Sequence, residues 1–267
     1  MVGARSPSRE VDMRMLGQAL AMGVGMAVAL GGTSALAESA FTRQGGSFEE
    51  HFAGFDSSRW QKSDGWSNGG YMGCAWNDDN LAIKNGKLAL SVTNQPKGRE
   101  ALSCAEYRSH RFYGLGSYTA NLKAVKAEGV ITSLSHYTGP PFGDPWDEIT
   151  MGIAGKDTTK LEISYVANGV GHRDVVVDLG FDAAKEFHTY GFEWKPDRIT
   201  WTVDGRSVHT AKGKPGELPQ NPGRLYLQFW NGSGDTPWLH RFQYPGKPLT
   251  AEVAWVRFRE DAATLNN

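Results

Sequence analysis

The chain has 267 residues, and its 28 lysines and arginines nearly balance its 29 aspartates and glutamates, so the formal net charge at pH 7 is −1. A nucleic-acid partner would require a basic face, which this balance disfavours, whereas an uncharged polysaccharide is compatible with it. The length is within the range of a single large all-β domain.

The N-terminal segment, residues 1–37, is predicted to be a signal peptide that is removed on export. Three arginines precede an apolar stretch over residues 16–30, and a small-x-small cleavage sequence follows at residues 35–37. A membrane anchor is the alternative, but the stretch contains several glycines and is short for a spanning helix. We therefore expect a secreted or periplasmic monomer, free of the membrane after cleavage, with one domain over residues 38–267.

Short runs of β-forming residues, separated by turn residues, recur along the mature chain and predict an all-β fold. The first follows the hairpin signal Asn85-Gly86, and Asp204-Gly205 marks a later turn. Helical character is suggested for the segment Asp182–Phe187. Many antiparallel strands at this spacing predict a sandwich of two sheets. The predicted strand segments are Lys87–Thr93, Ser117–Val125, Thr159–Val166, Asp174–Gly180, His188–Trp194, Arg198–Gly205, Arg224–Trp230 and Glu252–Phe258.

Two cysteines, Cys74 and Cys104, lie in the segment that remains after the predicted cleavage. In an exported protein we expect them to form a disulfide bond, because disulfides persist in oxidising compartments. Two buried free thiols are the alternative.

Several of the nine tryptophans lie beside glycine or asparagine, at the edges of predicted turns. A tryptophan at the edge of a turn is expected to be exposed, and an exposed indole is a good platform for the C–H face of a sugar ring. For any one of them, packing in the core is the alternative. The tryptophans concerned are Trp66, Trp76, Trp230 and Trp238.

The run from Trp146 to Gly152, Trp-Asp-Glu-Ile-Thr-Met-Gly, reads as a strand, on which Glu148, Thr150 and Gly152 face the same way. It resembles the active-site strand of glycoside hydrolase family 16, in particular its bacterial endo-β-1,3-1,4-glucanases, which carry Asp-Glu-Ile-Asp-Ile-Glu there. The resemblance implies that Glu148 is the nucleophile. It also implies that Thr150 replaces the supporting aspartate and that Gly152 replaces the general acid/base glutamate.

The resemblance extends from Ser63 to Phe258 and implies a jelly-roll β-sandwich of two antiparallel sheets with a concave sugar-binding cleft. It also implies a disulfide between Cys74 and Cys104. No cofactor is expected, and no metal either, because the family's calcium-liganding aspartate is Ala254 here. The substrate-binding residues that the resemblance implies are Asn68, Glu106, Arg108, Tyr137, Trp146, Trp230 and Trp238.

Other departures from the family pattern also fall in the cleft. Ser135 stands at an aromatic position of the family. On the strand after the catalytic one, Glu162, Ser164 and Val166 stand where the family has glutamine, asparagine and tyrosine. The sequence motifs that flank these positions are retained, which fits an altered function better than decay.

Loss of the acid/base matters because general acid–base catalysis contributes about 10²–10⁴ in rate. Glu162 alternates with Leu161 and Ile163, so it is expected to face the cleft and could be a relocated acid/base. The alternative is an ordinary sugar-binding or solvated carboxylate. Asp144 and Asp147 are weaker candidates, and alternation predicts that Asp147 points away from the cleft.

Two functions of different classes follow from these residues. The first is a secreted β-glucan-active enzyme that cleaves or remodels β-1,3/1,4-glucan or exopolysaccharide, with Glu148 as nucleophile but without the usual acid/base. The second is a catalytically inactive, lectin-like polysaccharide-binding protein. A purely structural envelope protein is disfavoured, because residues typical of a sugar cleft persist.

Overall fold

The structure is a computed structural model and describes residues 44–171 and 174–261. The predicted signal peptide lies outside the described residues. Within the described ranges, no helix is long and apolar enough to cross a membrane. The described residues contain two short 3-10 helices, Asp78–Asn80 and Pro140–Phe142, and are otherwise organised in strands and turns.

Seventeen strands are numbered here in chain order among the described residues. They are β1 (Phe48–Glu50), β2 (Trp60–Lys62), β3 (Ala75–Trp76), β4 (Leu81–Lys84), β5 (Lys87–Val92), β6 (Ser103–Ser109), β7 (Gly116–Lys123), β8 (Val130–Thr138), β9 (Asp147–Ala154), β10 (Lys160–Ala167), β11 (Val170–Gly171), β12 (Val175–Asp178), β13 (His188–Lys195), β14 (Arg198–Val203), β15 (Arg206–Lys212), β16 (Arg224–Asn231) and β17 (Leu249–Glu260).

The strands form two sheets. The eight-stranded sheet has the order β15-β14-β13-β7-β17-β5-β4, with β1 also paired to β17. The nine-stranded sheet has the order β11-β10-β9-β8-β16-β6-β2, with β12 paired to β10 and β3 to β6. Sequence neighbours such as β8, β9 and β10 pair antiparallel. The predicted two-sheet antiparallel jelly roll is confirmed.

The core lies between the sheets and follows from alternation along the strands. On β9, Ile149, Met151 and Ile153 are buried in the hydrophobic core, so the residues between them face the opposite side of the nine-stranded sheet. Tryptophans in strands of the eight-stranded sheet fill the same core, with Trp194 and Trp201 almost fully buried. The opposite face of the nine-stranded sheet is therefore available to form a site.

Local turn chemistry explains the first hairpin. Asn85 and Gly86 have φ values of 51° and 68°, the left-handed conformation that this two-residue connection between β4 and β5 requires. In the segment Asp182–Phe187, where a helical turn was predicted, the structure has one hydrogen-bonded turn, in which the backbone N–H of Lys185 donates to the carbonyl of Asp182 at 3.0 Å. Its Asp182 side chain accepts from the backbone N–H of Ala184 at 3.1 Å, and such a local bond favours a turn over a helix.

The two cysteines form the predicted disulfide. Cys74, which directly precedes β3, is bonded to Cys104 on β6, and their Cα atoms are 5.8 Å apart. This separation is typical of disulfides. The bond ties the loop before β3 to β6, a strand of the sheet that carries the cleft residues.

Candidate active site

The strand register brings the cleft-facing residues of β8, β9 and β10 into three rows across the nine-stranded sheet. Residues directly opposite one another on paired strands share a face and lie close together. The rows are Glu148 with Tyr137 and Val166, Thr150 with Ser135 and Ser164, and Gly152 with Ser133 and Glu162. Gly152, which has no side chain, thus has Glu162 as its partner on the next strand.

Glu148 is buried and held by two hydrogen bonds from its own segment. The indole N–H of Trp146 donates to Oε2 at 3.1 Å, and the Thr150 hydroxyl donates to Oε1 at 2.7 Å. Burial raises the pKa of Glu148 to about 7, while both hydrogen bonds act in the opposite direction. Thr150 therefore supports Glu148 as a neutral donor.

Glu162 is 6% exposed and faces the same side as Gly152, as alternation predicts. The indole N–H of Trp238 donates to its Oε2 at 2.7 Å and fixes the direction of the carboxyl group. Burial raises the pKa of Glu162 to about 7; the Trp238 bond and the charge of Lys156 lower the pKa, and the charge of Asp174 raises it. This carboxyl group can therefore hold a proton near neutral pH.

Glu106 and Arg108 lie on β6, further across the same sheet face. Glu106 is buried and accepts from the Ser63 hydroxyl and from Gln228 Nε2, the latter at 2.6 Å. Burial raises the pKa of Glu106. The Arg108 guanidinium lies 4.9 Å from the ring centroid of Trp66. Glu106 and Glu162 thus belong to the same row of residues across the sheet, with Gln228, Ser133 and Gly152 between them.

The expectation that the turn tryptophans are exposed is wrong for Trp76, Trp230 and Trp238, which are 0%, 5% and 6% exposed. Trp76 lies on β3, Trp230 on β16 and Trp238 in a turn after β16, and each indole has a partner in the interior. Trp76 donates to the side-chain oxygen of Asn68 at 2.9 Å, and the rings of Trp230 and Trp238 are 5.8 Å apart. Asn68 thus holds Trp76 in place, and the Trp230–Trp238 pair adjoins Glu162.

Asp147 points away from Glu148, as predicted, and is fully buried. It accepts from the backbone N–H of Asn168 at 2.8 Å and from those of Gln220 and Asn221 at 2.9 Å each. It therefore joins the start of β9 to two other loops. Asp144 accepts from the Thr138 hydroxyl at 2.6 Å, outside the three rows.

Three residues near the carboxyl groups were not singled out from the sequence. The charges of Glu148 and Glu106 help to raise the pKa of Tyr71, so its phenol lies near both. Gln228 is opposite Ser133 and Glu106, and its alternation with Phe229 could have revealed it. Asp174 is buried just before β12, which no local pattern indicates.

Ala254 lies where the strand register of β17 shifts, between Val253 and Trp255. Its methyl side chain offers no oxygen ligand. In the part of the chain that the structure describes, no cluster of three histidine, cysteine, aspartate or glutamate side chains is suited to hold a metal ion. Ala254 thus does not fit the calcium-liganding role that the resemblance assigns to this position.

This geometry defines the class of protein. It is a two-sheet jelly roll that carries buried carboxyl groups on the sheet face turned away from the core. A family model for glycosyl hydrolases family 16 matches residues 68–257. The β-glucanase of Bacillus licheniformis is 43% identical over 227 residues, which cover 84% of this chain and 90% of that protein. The β-glucanase of Paenibacillus macerans is 43% identical over 215 residues, covering 80% and 88%. The chain therefore belongs to glycoside hydrolase family 16.

Solved structures agree with this assignment. The structure of the Bacillus licheniformis β-glucanase has a TM-score of 0.76 at 43% identity and covers 81% of this chain and 99% of its own. A lichenase from a mouse hindgut metagenome gives 0.76 at 40% identity, covering 81% and 100%. A laminarinase catalytic domain from Thermotoga petrophila, at 20% identity and a TM-score of 0.70, shares the fold.

Proposed function

We propose that the chain is a β-glucan-active glycoside hydrolase in which Glu148 is the nucleophile and Glu162 is the general acid/base. The observation that carries this proposal is the register of β9 and β10, in which Glu162 is opposite Gly152. Strands in a sheet are about 4.8 Å apart, a distance that a glutamate side chain can span. Relatives that are 43% identical over most of both chains are β-glucanases, which supports the same ligand class.

In the proposed reaction, ionised Glu148 attacks the anomeric carbon while protonated Glu162 gives its proton to the departing glycosidic oxygen. Glu162 then removes a proton from water, whose oxygen attacks the anomeric carbon and releases Glu148. Trp146 and Thr150 stabilise the ionised form of Glu148 by donating to it, and burial of Glu162 favours its protonated form. The cleft aromatics Tyr137, Trp230 and Trp238 and the polar residues Asn68, Glu106 and Arg108 are proposed to bind or frame the sugar chain.

The test is release of reducing ends from barley β-glucan and lichenan by residues 38–267. Glu148→Gln and Glu162→Gln should each lower turnover by about 100-fold or more. Glu193→Gln is the matched control, because this glutamate lies on the eight-stranded sheet and pairs with Lys195. Unchanged turnover in Glu162→Gln would exclude it as the acid/base while leaving Glu148 to be judged separately.

The second candidate function is that of a polysaccharide-binding protein without turnover. It is favoured by the absence of a carboxyl group at Thr150 and Gly152 on β9. Affinity electrophoresis in gels containing β-glucan tests it. Retention of the wild-type protein without reducing-end release would support this function, and retention should be lost in Trp230→Ala and Trp238→Ala. Equal mobility with and without glucan would contradict both candidate functions.

We also propose export, with cleavage after Ala37 and one monomeric domain thereafter. The sequence of residues 1–37 supports it. N-terminal sequencing of protein from the periplasm or medium should begin at Glu38. An intact N-terminus in a membrane fraction would contradict cleavage.

A further inference from the structure

Asp174 is a buried acid that the reaction described above does not use. It lies directly before β12 and is 8% exposed. Its Oδ1 atom is buried without a hydrogen-bond partner. Leaving a carboxyl oxygen unsatisfied in this way costs free energy, so such a group in a cleft-bearing sheet requires an explanation.

The register of β10 and β12 defines where Asp174 lies. Glu162 is opposite Val176, and Ile163 is opposite Val175. Because side chains alternate along a strand, extending the strand by one residue puts Asp174 on the same face as Val176 and Glu162. Asp174 is then the diagonal neighbour of Glu162, at a spacing of about 7–8 Å. The two side chains thus lie on the same sheet face at neighbouring positions.

We propose that Asp174 is a positioning residue whose negative charge keeps Glu162 protonated, and therefore able to act as an acid, near neutral pH. The inference rests on the proposed role of Glu162 as the acid/base. It gives the relocated acid a partner on the strand side away from Glu148. A like charge nearby disfavours ionisation of a carboxyl group, and this is the physical basis of the effect.

The charges around Glu162 come from two elements packed against β10. Lys156, in the turn after β9, lowers the pKa of Glu162, and Asp174 raises it. Lys156 is itself held by donation to the carbonyl of Pro237 at 2.6 Å. Burial raises the pKa of Asp174 to about 6. An ionised Asp174 therefore opposes ionisation of Glu162.

The experiment is a pH titration of the glutamate side-chain carboxyl carbons by NMR, with ¹³C-labelled glutamate in the mature protein. The Glu162 signal is assigned by its loss in Glu162→Gln. In Asp174→Asn its midpoint should fall by about half a pH unit or more, the effect of a unit charge about 7 Å away even in a water-like medium. Asp174→Glu should restore most of the shift.

Asp197→Asn is the matched control, because Asp197 is exposed, pairs with Arg198 and lies directly before β14 of the eight-stranded sheet. In the control variant, the midpoint of the Glu162 titration should match that of the wild-type protein. An unchanged midpoint in folded Asp174→Asn, verified by near-ultraviolet circular dichroism, would overturn the inference. An equal fall in both variants would overturn it too. The titration needs no turnover. The effect of Asp174 on Glu162 is therefore tested independently of whether the protein hydrolyses glucan. If Asp174→Asn does not fold, the same comparison is made with Asp174→Ser.

Discussion

At the scale of single residues, Glu148 is buried on β9 and is supported by two neutral hydrogen-bond donors. Thr150 donates a hydrogen bond to it at 2.7 Å, and Trp146 donates another at 3.1 Å. Gly152 has no side chain, and its partner on β10 is Glu162, which carries a carboxyl group. The predictions at this scale concern these carboxyl groups.

The first prediction concerns stability and pH. The pKa of Glu148 is about 7 in the folded protein against an ordinary value of 4.5, so the folded state holds this proton more tightly than the unfolded state. Stability from this group is therefore full below about pH 4.5 and is lost as the pH rises to about 7. Glu148→Gln removes the ionisation. It should raise the free energy of unfolding relative to wild type more at pH 8 than at pH 4.5, by up to about 3 kcal/mol.

Urea denaturation at the two pH values measures this difference. Glu193→Gln serves as the control, because its side chain is 40% exposed and pairs with Lys195 at the surface. A gain that is the same at pH 4.5 and pH 8 would show that burial does not raise the pKa of Glu148.

The second prediction moves the carboxyl group back to β9. Gly152→Glu in the Glu162→Gln background should recover turnover on β-glucan by about 10²-fold or more over Glu162→Gln alone. The reason is that residues 152 and 162 are opposite one another on the same face, so a carboxyl group at either can approach the same glycosidic oxygen. Initial rates on lichenan provide the measurement. The matched control is Gly152→Gln in the same background, which should gain nothing; equal rates in the two double variants would contradict the prediction.

At the scale of elements, the start of β9 is fixed by a buried acid on the side away from the cleft. Asp147 accepts from the backbone N–H groups of Asn168, Gln220 and Asn221. These donors belong to the turn after β10 and the loop before β16. The orientation of Trp146 and Glu148 on either side of Asp147 therefore depends on two loops that donate to one carboxylate.

The third prediction follows from this arrangement. Asp147→Ala should lower the free energy of unfolding by roughly 3–5 kcal/mol, because the three backbone N–H groups that donate to this buried carboxylate lose their acceptor. Asp157→Ala is the control: Asp157 accepts from the N–H and hydroxyl of Thr159 in an exposed turn, and its loss should cost under about 1 kcal/mol. Denaturant titrations of both variants decide the matter. Similar losses in the two would refute a special role for Asp147.

At the scale of the whole molecule, one covalent link joins the loop before β3 to β6. Cys74 and Cys104 are separated by 30 residues in sequence. A disulfide that closes a loop of this length restricts the unfolded chain, and it thereby stabilises the folded state by about 3–4 kcal/mol. Because Glu106 follows Cys104 by two residues on β6, the bond also restrains the part of β6 that carries Glu106.

The fourth prediction is that Cys74→Ala with Cys104→Ala lowers the free energy of unfolding by about 3–4 kcal/mol. Thermal unfolding with and without a reducing agent tests it. Reduction should destabilise the wild-type protein and leave the double variant unchanged. If reduction leaves the wild-type midpoint unchanged as well, the bond contributes little to the fold.

The sequence by itself determined the sandwich and the face on which Glu148, Thr150 and Gly152 lie. Alternation and turn signals act over a few residues, so patterns such as Asn85-Gly86 can be read from the chain. The resemblance of separated motifs added the family and the disulfide. Alternation also indicated that Glu162 faces the cleft and that Asp147 does not, because both depend only on neighbours in the same strand.

Only the tertiary structure decided which side chains meet. The position of Glu162 beside Gly152 depends on the register of two strands, and a shift of one residue would turn its side chain to the other face. The burial of Trp230 and Trp238 and the position of Asp174 depend on loops and strands far apart in sequence. Strand periodicity carries no information about such contacts, because it describes faces and not partners.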